Sequence, residues 1–255
     1  MRLLTGFSAL ALAAATAGAQ TNDFQWSKAE AAGTIVAVHN INGDVTVLPA
    51  SGNTVEVTAV RHGDGDVYTV VHESSGRVDV CVLWKDSDES CDEDGAHMHR
   101  SGWRHDRESS MDVTVKLPAS MLADAGSVSG DVRVDGAHGD VRASSVSGDV
   151  RLEHLDATSV KATSVSGDVQ VGIARLSGDG PLNFRSVSGD VTVAVPAGFD
   201  ADFRMSTVSG DLDTDFPLTL NGRMGRRNIE GRIGKGGREL SVSTVSGDVR
   251  LRAVK

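Results

Sequence analysis

The sequence predicts an all-β protein, a single-chain parallel β-solenoid with coils of about 20 residues and a disulfide-pinned hairpin insertion. Three observations predict this fold: a repeated Ser-Gly-Asp tripeptide, apolar residues that alternate with polar ones around each copy, and a composition poor in aromatic residues. Aromatic residues make up 4% of the 255-residue chain, which contains 29 glycines. A compact globular core usually contains more aromatic side chains, whereas thin repetitive β-structure suits valine and glycine.

The first 19 residues have the pattern of a secretory signal peptide. Met1-Arg2 supplies a positive start, Leu3–Ala15 is an apolar run, and Ala17-Gly18-Ala19 is an A-x-A cleavage signal. The apolar run is too short to form a permanent membrane-spanning helix. We therefore expect an exported protein that is periplasmic, on the cell surface or extracellular, with no transmembrane segment after signal cleavage.

The net charge argues against one class of partner, and the order of segments predicts the domain boundaries. The formal net charge of −10 argues against binding to nucleic acid, whose phosphates are recognised by basic surfaces. Residues 20–33 are expected to form an N-terminal cap segment, in which Trp26 covers the open end of the first coil. Residues 34–255 are expected to form one β-solenoid domain.

The repeat has a longer frame, [ST]-V-S-G-D-[VL], which occurs six times. We expect its Gly-Asp pairs to form stacked corners; they are Gly130-Asp131, Gly148-Asp149, Gly167-Asp168, Gly189-Asp190, Gly210-Asp211 and Gly247-Asp248. Asn40–Val45 is an early copy, and the stretch around Gly231 is a degenerate copy between the last two. With Gly231 included, successive glycines from Gly130 onward are 16 to 22 residues apart.

The residue types within one copy explain why such units stack. In Ser145–Leu152, the alternation predicts that Val146, Val150 and Leu152 point inward. Glycine allows a corner with positive φ, and Ser and Asp can hydrogen-bond the exposed backbone there. Coils stacked about 4.8 Å apart would complete a continuous Val/Leu core. We expect roughly nine or ten coils, with Gly148, Gly167 and Gly189 in one column.

Residues 76–110 interrupt the repeat and are predicted to be an insertion. They contain Cys81 and Cys91, the two cysteines of the chain. An even number of cysteines in an exported protein predicts a disulfide, here across a hairpin. A second excursion, 221–238, is rich in basic residues.

The opening Asn40–Val45 and the serial Ser-Val-Ser-Gly-Asp-Val copies resemble the bacterial putative-adhesin family of unknown function. The resemblance covers nearly the whole chain after the signal peptide. It implies an extracytoplasmic β-solenoid with no established activity.

The column of aspartates has two interpretations. Calcium is one, although calcium-binding β-rolls use G-G-x-G-x-D, and here Gly directly precedes Asp. A structural turn is the other, with the charge compensated by arginines two residues after an aspartate: Arg133, Arg142, Arg151 and Arg250. The best cation candidate is the alternating set Asp211, Asp213 and Asp215, which has no basic residue nearby in the sequence.

A second cluster combines histidine and methionine. His97, Met98, His99 and His105 have side chains that bind copper or zinc. A polar hairpin tip that binds nothing has the same composition, so both interpretations stay open.

No sequence feature identifies a catalytic site. The chain has no G-x-S-x-G motif, and its repeated serines belong to the corners. We expect a non-enzymatic, adhesin-like binding or structural scaffold without a cofactor, whose partner is an envelope protein or polysaccharide. The alternatives are a carbohydrate-active β-helix enzyme and a calcium- or metal-binding surface protein. An enzyme would show a groove with clustered, non-repeated acids, whereas a scaffold would show only ladders.

Overall fold

The computed structural model describes residues 23–64, 67–85, 90–92, 95–97, 109–220, 225 and 227–254. The predicted signal peptide lies outside this part of the chain. The first eleven strands are β1 (Phe24–Ala29), β2 (Ile35–Asn42), β3 (Val45–Pro49), β4 (Thr54–His62), β5 (Val67–Ser74), β6 (Arg77–Trp84), β7 (Ser90–Asp92), β8 (Gly95–His97), β9 (Ser110–Leu117), β10 (Leu122–Ser129) and β11 (Val132–Asp135). The others are β12 (His138–Ser147), β13 (Val150–Ser166), β14 (Val169–Leu176), β15 (Leu182–Arg185), β16 (Val191–Pro196), β17 (Ala201–Ser206), β18 (Leu212–Thr214), β19 (Leu218–Leu220), β20 (Asn228–Ile233), β21 (Glu239–Ser243) and β22 (Val249–Val254).

Two parallel ladders form the body of the protein, because each repeat copy contributes one strand before its corner and one after it. The strands that run into the corners form the leading ladder, in the order β6, β2, β10, β12, the second half of β13, β15, β21 and β17. The strands that leave the corners form the trailing ladder, in the order β9, β3, β11, the first half of β13, β14, β16, β22 and β18.

The all-β prediction is confirmed, but the sheet is mixed rather than purely parallel. Strand β5 pairs antiparallel with β6, β4 with both β1 and β9, and β20 with both β17 and β19. These strands connect through reversals and lie at the ends of the stack, where no further copy of the frame is available to pair. Trp26, on β1, is partly buried against the core at one such end. The described residues contain no helix, and so no helix there that could cross a membrane.

The core is a stack of small apolar side chains. Val150, Val169, Val191 and Val249 occupy the same position in successive coils and are fully buried. Val146, predicted to point inward, is 46% exposed instead. Alternation breaks at the corner because Ser145 takes the inward position and the next two residues both face solvent.

The coils are not stacked in chain order. Strand β21 lies between β15 and β17, and β22 lies between β16 and β18, so the coil Glu239–Val254 separates two coils that precede it in the sequence. We call Glu239–Val254 the inserted coil. Gly231, predicted to be a corner of this region, lies instead in the antiparallel strand β20, where it pairs with Phe203.

The predicted disulfide is confirmed, with Cα atoms of Cys81 and Cys91 5.9 Å apart. The two cysteines do not, however, lie in the two arms of one hairpin, as the sequence predicted. Cys81 is fully buried in β6, a strand of the main sheet, on the face opposite to Val78, Val80 and Val82, which point into the core. Cys91 lies in the small antiparallel sheet of β7 and β8. The disulfide therefore ties this small sheet to the main one. Of the second excursion, Asn228–Ile233 likewise forms a strand of the main sheet.

Candidate functional site: the corner column

The corner glycines stack directly on one another. In spatial order this corner column consists of Gly43, Gly130, Gly148, Gly167, Gly189, Gly247 and Gly210. A Cβ built on Gly167 would lie 2.2 Å from the carbonyl oxygen of Gly148, and the other members of the column show equally short approaches. The φ of Gly167 lies outside the left-handed region, and Gly148, at 159°, is close to extended backbone. The other five members have a positive φ of 117° to 158°, as expected from the sequence. All seven glycines share the close approach of coils, which therefore requires glycine throughout the column.

A buried row of hydroxyl groups lies beside the glycines. The first residue of each frame donates a hydrogen bond of 2.9 Å to the glycine carbonyl of the neighbouring coil; the donors are Ser127, Ser145, Ser164, Ser186, Thr207 and Thr244. In the early copy, Nδ2 of Asn40 replaces the hydroxyl and donates to the Met111 carbonyl oxygen at 2.8 Å. These bonds satisfy carbonyl groups that would otherwise be unpaired at the bend.

The aspartates form a continuous ladder of backbone-to-side-chain hydrogen bonds. Each Oδ1 accepts a bond of 2.8–2.9 Å from the backbone N–H of the next aspartate, in the order Asp112, Asp44, Asp131, Asp149, Asp168, Asp190, Asp248 and Asp211. Asp112 was not predicted to belong to this ladder, because Met111 stands where the frame has a glycine. The similarity of the stretch that begins at Val113 to the one that begins at Val45 could have revealed Asp112, since the two stretches pair in register.

Cations neutralise only part of this ladder. Arg250 binds Oδ2 of both Asp190 and Asp248 at 2.6 Å, as expected for charge compensation. The N–H of Asp248, and then the Arg250 guanidinium, hold the pKa of Asp190 below its ordinary value. Arg133 and Arg142 make no ion pair with the residues that the structure describes, so their predicted compensation is not observed.

Arg151 also departs from the predicted compensation. Its Nη2 atom donates a hydrogen bond of 2.8 Å to Oε1 of Gln170 rather than to a carboxylate. Arg151 faces Gln170 across the parallel pair of β13 and β14, which explains this choice of acceptor.

The cation candidate Asp211, Asp213 and Asp215 does have a basic partner. Arg252 donates to Asp213 at 2.8 Å and to Asp215 at 3.0 Å, because β18 pairs with β22 in the stack. The ion pair between Arg252 and Asp213 was not predicted, because some 40 residues separate the two in the sequence. Among the described residues, no three His, Cys, Asp or Glu side chains are grouped as metal ligands. Met98, His99 and His105 lie outside the described residues, as does the side chain of His97.

A row of exposed valines runs along the outside of the corners. The second residue of each frame contributes to this valine column, which consists of Val128, Val146, Val165, Val187, Val245 and Val208. Five of its members are 38% to 62% exposed, and only Val187 is partly covered. Elsewhere in the described chain, Val254 is the only other large hydrophobic residue that is as exposed. The column is about 24 Å long at the usual spacing between strands.

Serines and aspartates lie next to the valine column. The third residue of each frame is an exposed serine, and the aspartate follows after the glycine; the serines are Ser129, Ser147, Ser166, Ser188, Ser209 and Ser246. We call the valine column with these serines and the aspartate ladder the corner face. It presents the same apolar, hydroxyl and carboxylate groups in each of the six coils that carry the frame.

One cavity outside the corner face contains non-repeated acids. Asp202, Glu230 and Glu239 line a space of about 380 Å³ beside β17. Arg204 pairs with Glu230 at 2.9 Å. The N–H of Gly237, followed by the Arg232 guanidinium, lowers the pKa of Asp202. Asp202 is therefore stabilised as a carboxylate, and Glu230 forms an ion pair with Arg204.

A solved structure has the same fold as this chain. The crystal structure of a putative cell adhesion protein from Clostridium sporogenes ATCC 15579 superposes with a TM-score of 0.52 at 9% identity, over 91% of this chain and 99% of that one. A putative adhesin from Bacteroides fragilis NCTC 9343 gives a TM-score of 0.39 at 11% identity, over 89% and 96% of the two chains. No curated protein matches the sequence.

A family model adds a relationship at the level of sequence. The model described as Toastrack DUF4097 matches residues 108–252, which include all six copies of the frame. This match covers more than half of the chain, so the protein belongs to the Toastrack DUF4097 family.

Proposed function

We propose that this protein is a non-enzymatic, adhesin-like scaffold of the cell envelope or the extracellular space, and that it binds its partner through the corner face. The valine column is the observation that supports this proposal. An apolar row on the surface of a soluble domain costs solubility unless a partner covers it. The sequence repeats a valine at this position in every copy, although a polar β-branched residue would also suit a strand.

The partner that fits the corner face is itself a repeating polymer. Each coil offers the same three groups about 4.8 Å from those of the next coil. A polymer with repeating units can contact many coils at once, so that weak contacts add up to strong binding. We therefore favour an envelope polysaccharide, with an envelope protein as the other outcome of the test below.

Three observations support a place outside the cytoplasm. The sequence predicts a signal peptide at residues 1–19. The Cys81–Cys91 disulfide is typical of oxidising compartments. The solved structure with the same fold is called a putative cell adhesion protein.

The carbohydrate-active enzyme is the less favoured alternative. Glycoside hydrolysis needs one carboxylic acid whose pKa is raised, beside a second carboxylate. In the acidic cavity beside β17, the pKa of Asp202 is lowered and Glu230 is neutralised by Arg204. This arrangement favours a structural role for these acids.

Co-sedimentation with insoluble envelope polysaccharide tests the proposal. The double variant Val146→Thr/Val165→Thr keeps β-branched side chains and removes two apolar groups from the corner face. We expect binding to fall about fivefold, since exposed apolar contacts of this size contribute about 1 kcal/mol together. Val254→Thr, an exposed valine away from the face, is the matched control and should bind like wild type.

Two results would contradict the corner face as the binding site. One is equal binding by the double variant and wild type. The other is no binding by wild type to polysaccharide or to intact envelope material. Binding that disappears after protease treatment of the envelope, and that still depends on the two valines, would identify a protein partner instead.

A further inference from the structure

The inserted coil occupies a slot between two coils that are equivalent to it. Ser246 pairs in parallel with Ser188 on one side and with Ser209 on the other. Thr244 donates to the carbonyl of Gly189 at 2.9 Å, and Thr207 donates to the carbonyl of Gly247 at the same distance. The inserted coil is therefore joined to both neighbouring coils by the same type of hydrogen bond, from a threonine hydroxyl to a glycine carbonyl.

The slot requires an occupant because its walls are apolar. Leu240, Val242, Val249 and Leu251 of the inserted coil are fully buried there. Without the inserted coil, the side chains that these four residues cover would face water. The occupant must carry the frame, since a Cβ at the position of Gly247 would lie 2.2 Å from the carbonyl oxygen of Gly189.

The link to the inserted coil is a short glycine-rich loop. Residues 234–238 lead from β20 across the start of β17 to β21, with positive φ at Gly234, Gly236 and Gly237. The backbone N–H of Lys235 donates to Asp200 and that of Gly237 to Asp202, both at the surface of the protein. Glycines accept large changes in φ and ψ, so this loop is suited to act as a hinge.

From these three observations we propose that the inserted coil is exchangeable, and that two copies of this chain bind each other by exchanging it. In the exchanged dimer, the coil Glu239–Val254 of one copy fills the slot between the Gly189 and Gly210 coils of its partner. Arg238 is buried and its guanidinium donates to the carbonyl oxygens of Thr158 and Ser177, so it moves with the coil and makes these bonds to the other copy. The contacts of the coil are then preserved, and only the hinge at 234–237 changes conformation. The result is a homotypic interaction between copies that keeps the order of groups along the corner face unchanged.

Mixing two variants that each carry one introduced cysteine, beside the native Cys81–Cys91 disulfide, tests the exchange. One chain carries Ser188→Cys and the other carries Ser246→Cys; both sites are exposed and lie on neighbouring strands, within the range that a disulfide bridges. The two variants are incubated together at high concentration, just below the melting transition, and then oxidised. Mass spectrometry counts disulfides between position 188 of one variant and position 246 of the other.

The matched control is a mixture of Ser147→Cys and Ser166→Cys chains. These two serines also face each other on neighbouring strands, but their coils follow one another in the chain and are not exchanged. We expect at least tenfold more cross-links between chains at 188 and 246 than at 147 and 166. Equal yields, or no cross-linking between chains at 188 and 246, would overturn the proposal.

A labelled peptide of residues 239–254 provides a second readout that needs no cysteine. The full chain is warmed close to its melting transition with excess peptide and then cooled. The wild-type peptide should be retained by the protein, whereas the Gly247→Ala peptide should be excluded, because its Cβ would lie 2.2 Å from the carbonyl oxygen of Gly189. Retention of both peptides, or of neither, would contradict an exchangeable coil.

Discussion

The backbone N–H of Asp168 donates a hydrogen bond of 2.8 Å to Oδ1 of Asp149 in the neighbouring coil. The same relationship recurs along the aspartate ladder, so each carboxylate already binds the backbone of its neighbour. Any side chain with a well-placed oxygen can accept this bond. The geometry therefore favours a structural role over calcium binding.

Replacing Asp168 by Asn should cost little stability, because Oδ1 of the amide still accepts the N–H of Asp190. Asp168→Ala removes this acceptor and should cost about 1 kcal/mol. Thermal melts of both variants and of wild type, with calcium and with chelator, measure these differences. A wild-type melting temperature that rises by many degrees with millimolar calcium, and no longer does so in Asp168→Asn, would contradict the structural interpretation.

Alanine at Gly167 should be strongly destabilising. Its Cβ would lie 2.2 Å from the carbonyl oxygen of Gly148, so the two coils must separate. We expect a loss of about 1–3 kcal/mol or more in the free energy of unfolding, measured by urea denaturation, and a similar loss for Gly148→Ala and Gly189→Ala. Gly198→Ala is the control, since a Cβ there meets no atom within 4 Å and its φ is not left-handed. Equal costs at Gly167 and Gly198 would refute the close-approach argument.

The two serines of one frame should differ when replaced by alanine. Ser164 is buried and donates to the Gly148 carbonyl, whereas the Ser166 side chain is exposed. We expect Ser164→Ala to lower the free energy of unfolding by about 1 kcal/mol and Ser166→Ala to change it by less than about 0.5 kcal/mol. If chemical denaturation gave the reverse order, the inward position of the first serine would be wrong.

Acid should lower the free energy of unfolding, in part because Asp190 becomes protonated. The N–H of Asp248 and the Arg250 guanidinium lower the pKa of this carboxyl in the folded state. A lowered folded-state pKa contributes stability above the unfolded value of about 3.9, and that stability is lost as pH falls through the folded-state pKa.

Denaturation of Asp190→Asn at a series of pH values measures this contribution. The variant should be less stable than wild type at pH 7, and the difference should shrink as pH falls below 4. Glu153→Gln, which also removes one exposed carboxylate but makes no ion pair within the described chain, is the control for the loss of a negative charge. A constant difference for Asp190→Asn would mean that its carboxyl is not stabilised by these partners.

The sequence was sufficient to predict strands and corners, because each copy of the frame carries its own local signals. Valine favours extended backbone on both sides, and glycine fits the crowded bend between them. It did not predict the order of the coils. The corners at Gly189, Gly210 and Gly247 make the same bonds to whichever coil lies beside them, so their order depends on the connections. Those connections run through the antiparallel strand β20 and the loop at 234–238, which lack the frame.

The candidate binding face was missed for a related reason. Strict alternation assigns Val146 to the core, but the corner places Ser145 inward and leaves Val146 and Ser147 both facing solvent. A hydroxyl residue at the first position of all six frames was the available signal, since a buried hydroxyl requires a fixed acceptor such as the Gly130 carbonyl.

The order of the corner column can be measured directly in single chains that carry two introduced cysteines beside the native Cys81–Cys91 disulfide. The corner face and the exchangeable coil both depend on this order, in which Ser246 lies between Ser188 and Ser209. We predict that the Ser188→Cys/Ser246→Cys chain forms a disulfide within the monomer on mild oxidation, detected by mass spectrometry. The Ser188→Cys/Ser209→Cys chain should keep free thiols, because its two positions are about 9.6 Å apart, beyond the reach of a disulfide. A disulfide between 188 and 209, with free thiols at 188 and 246, would contradict the account.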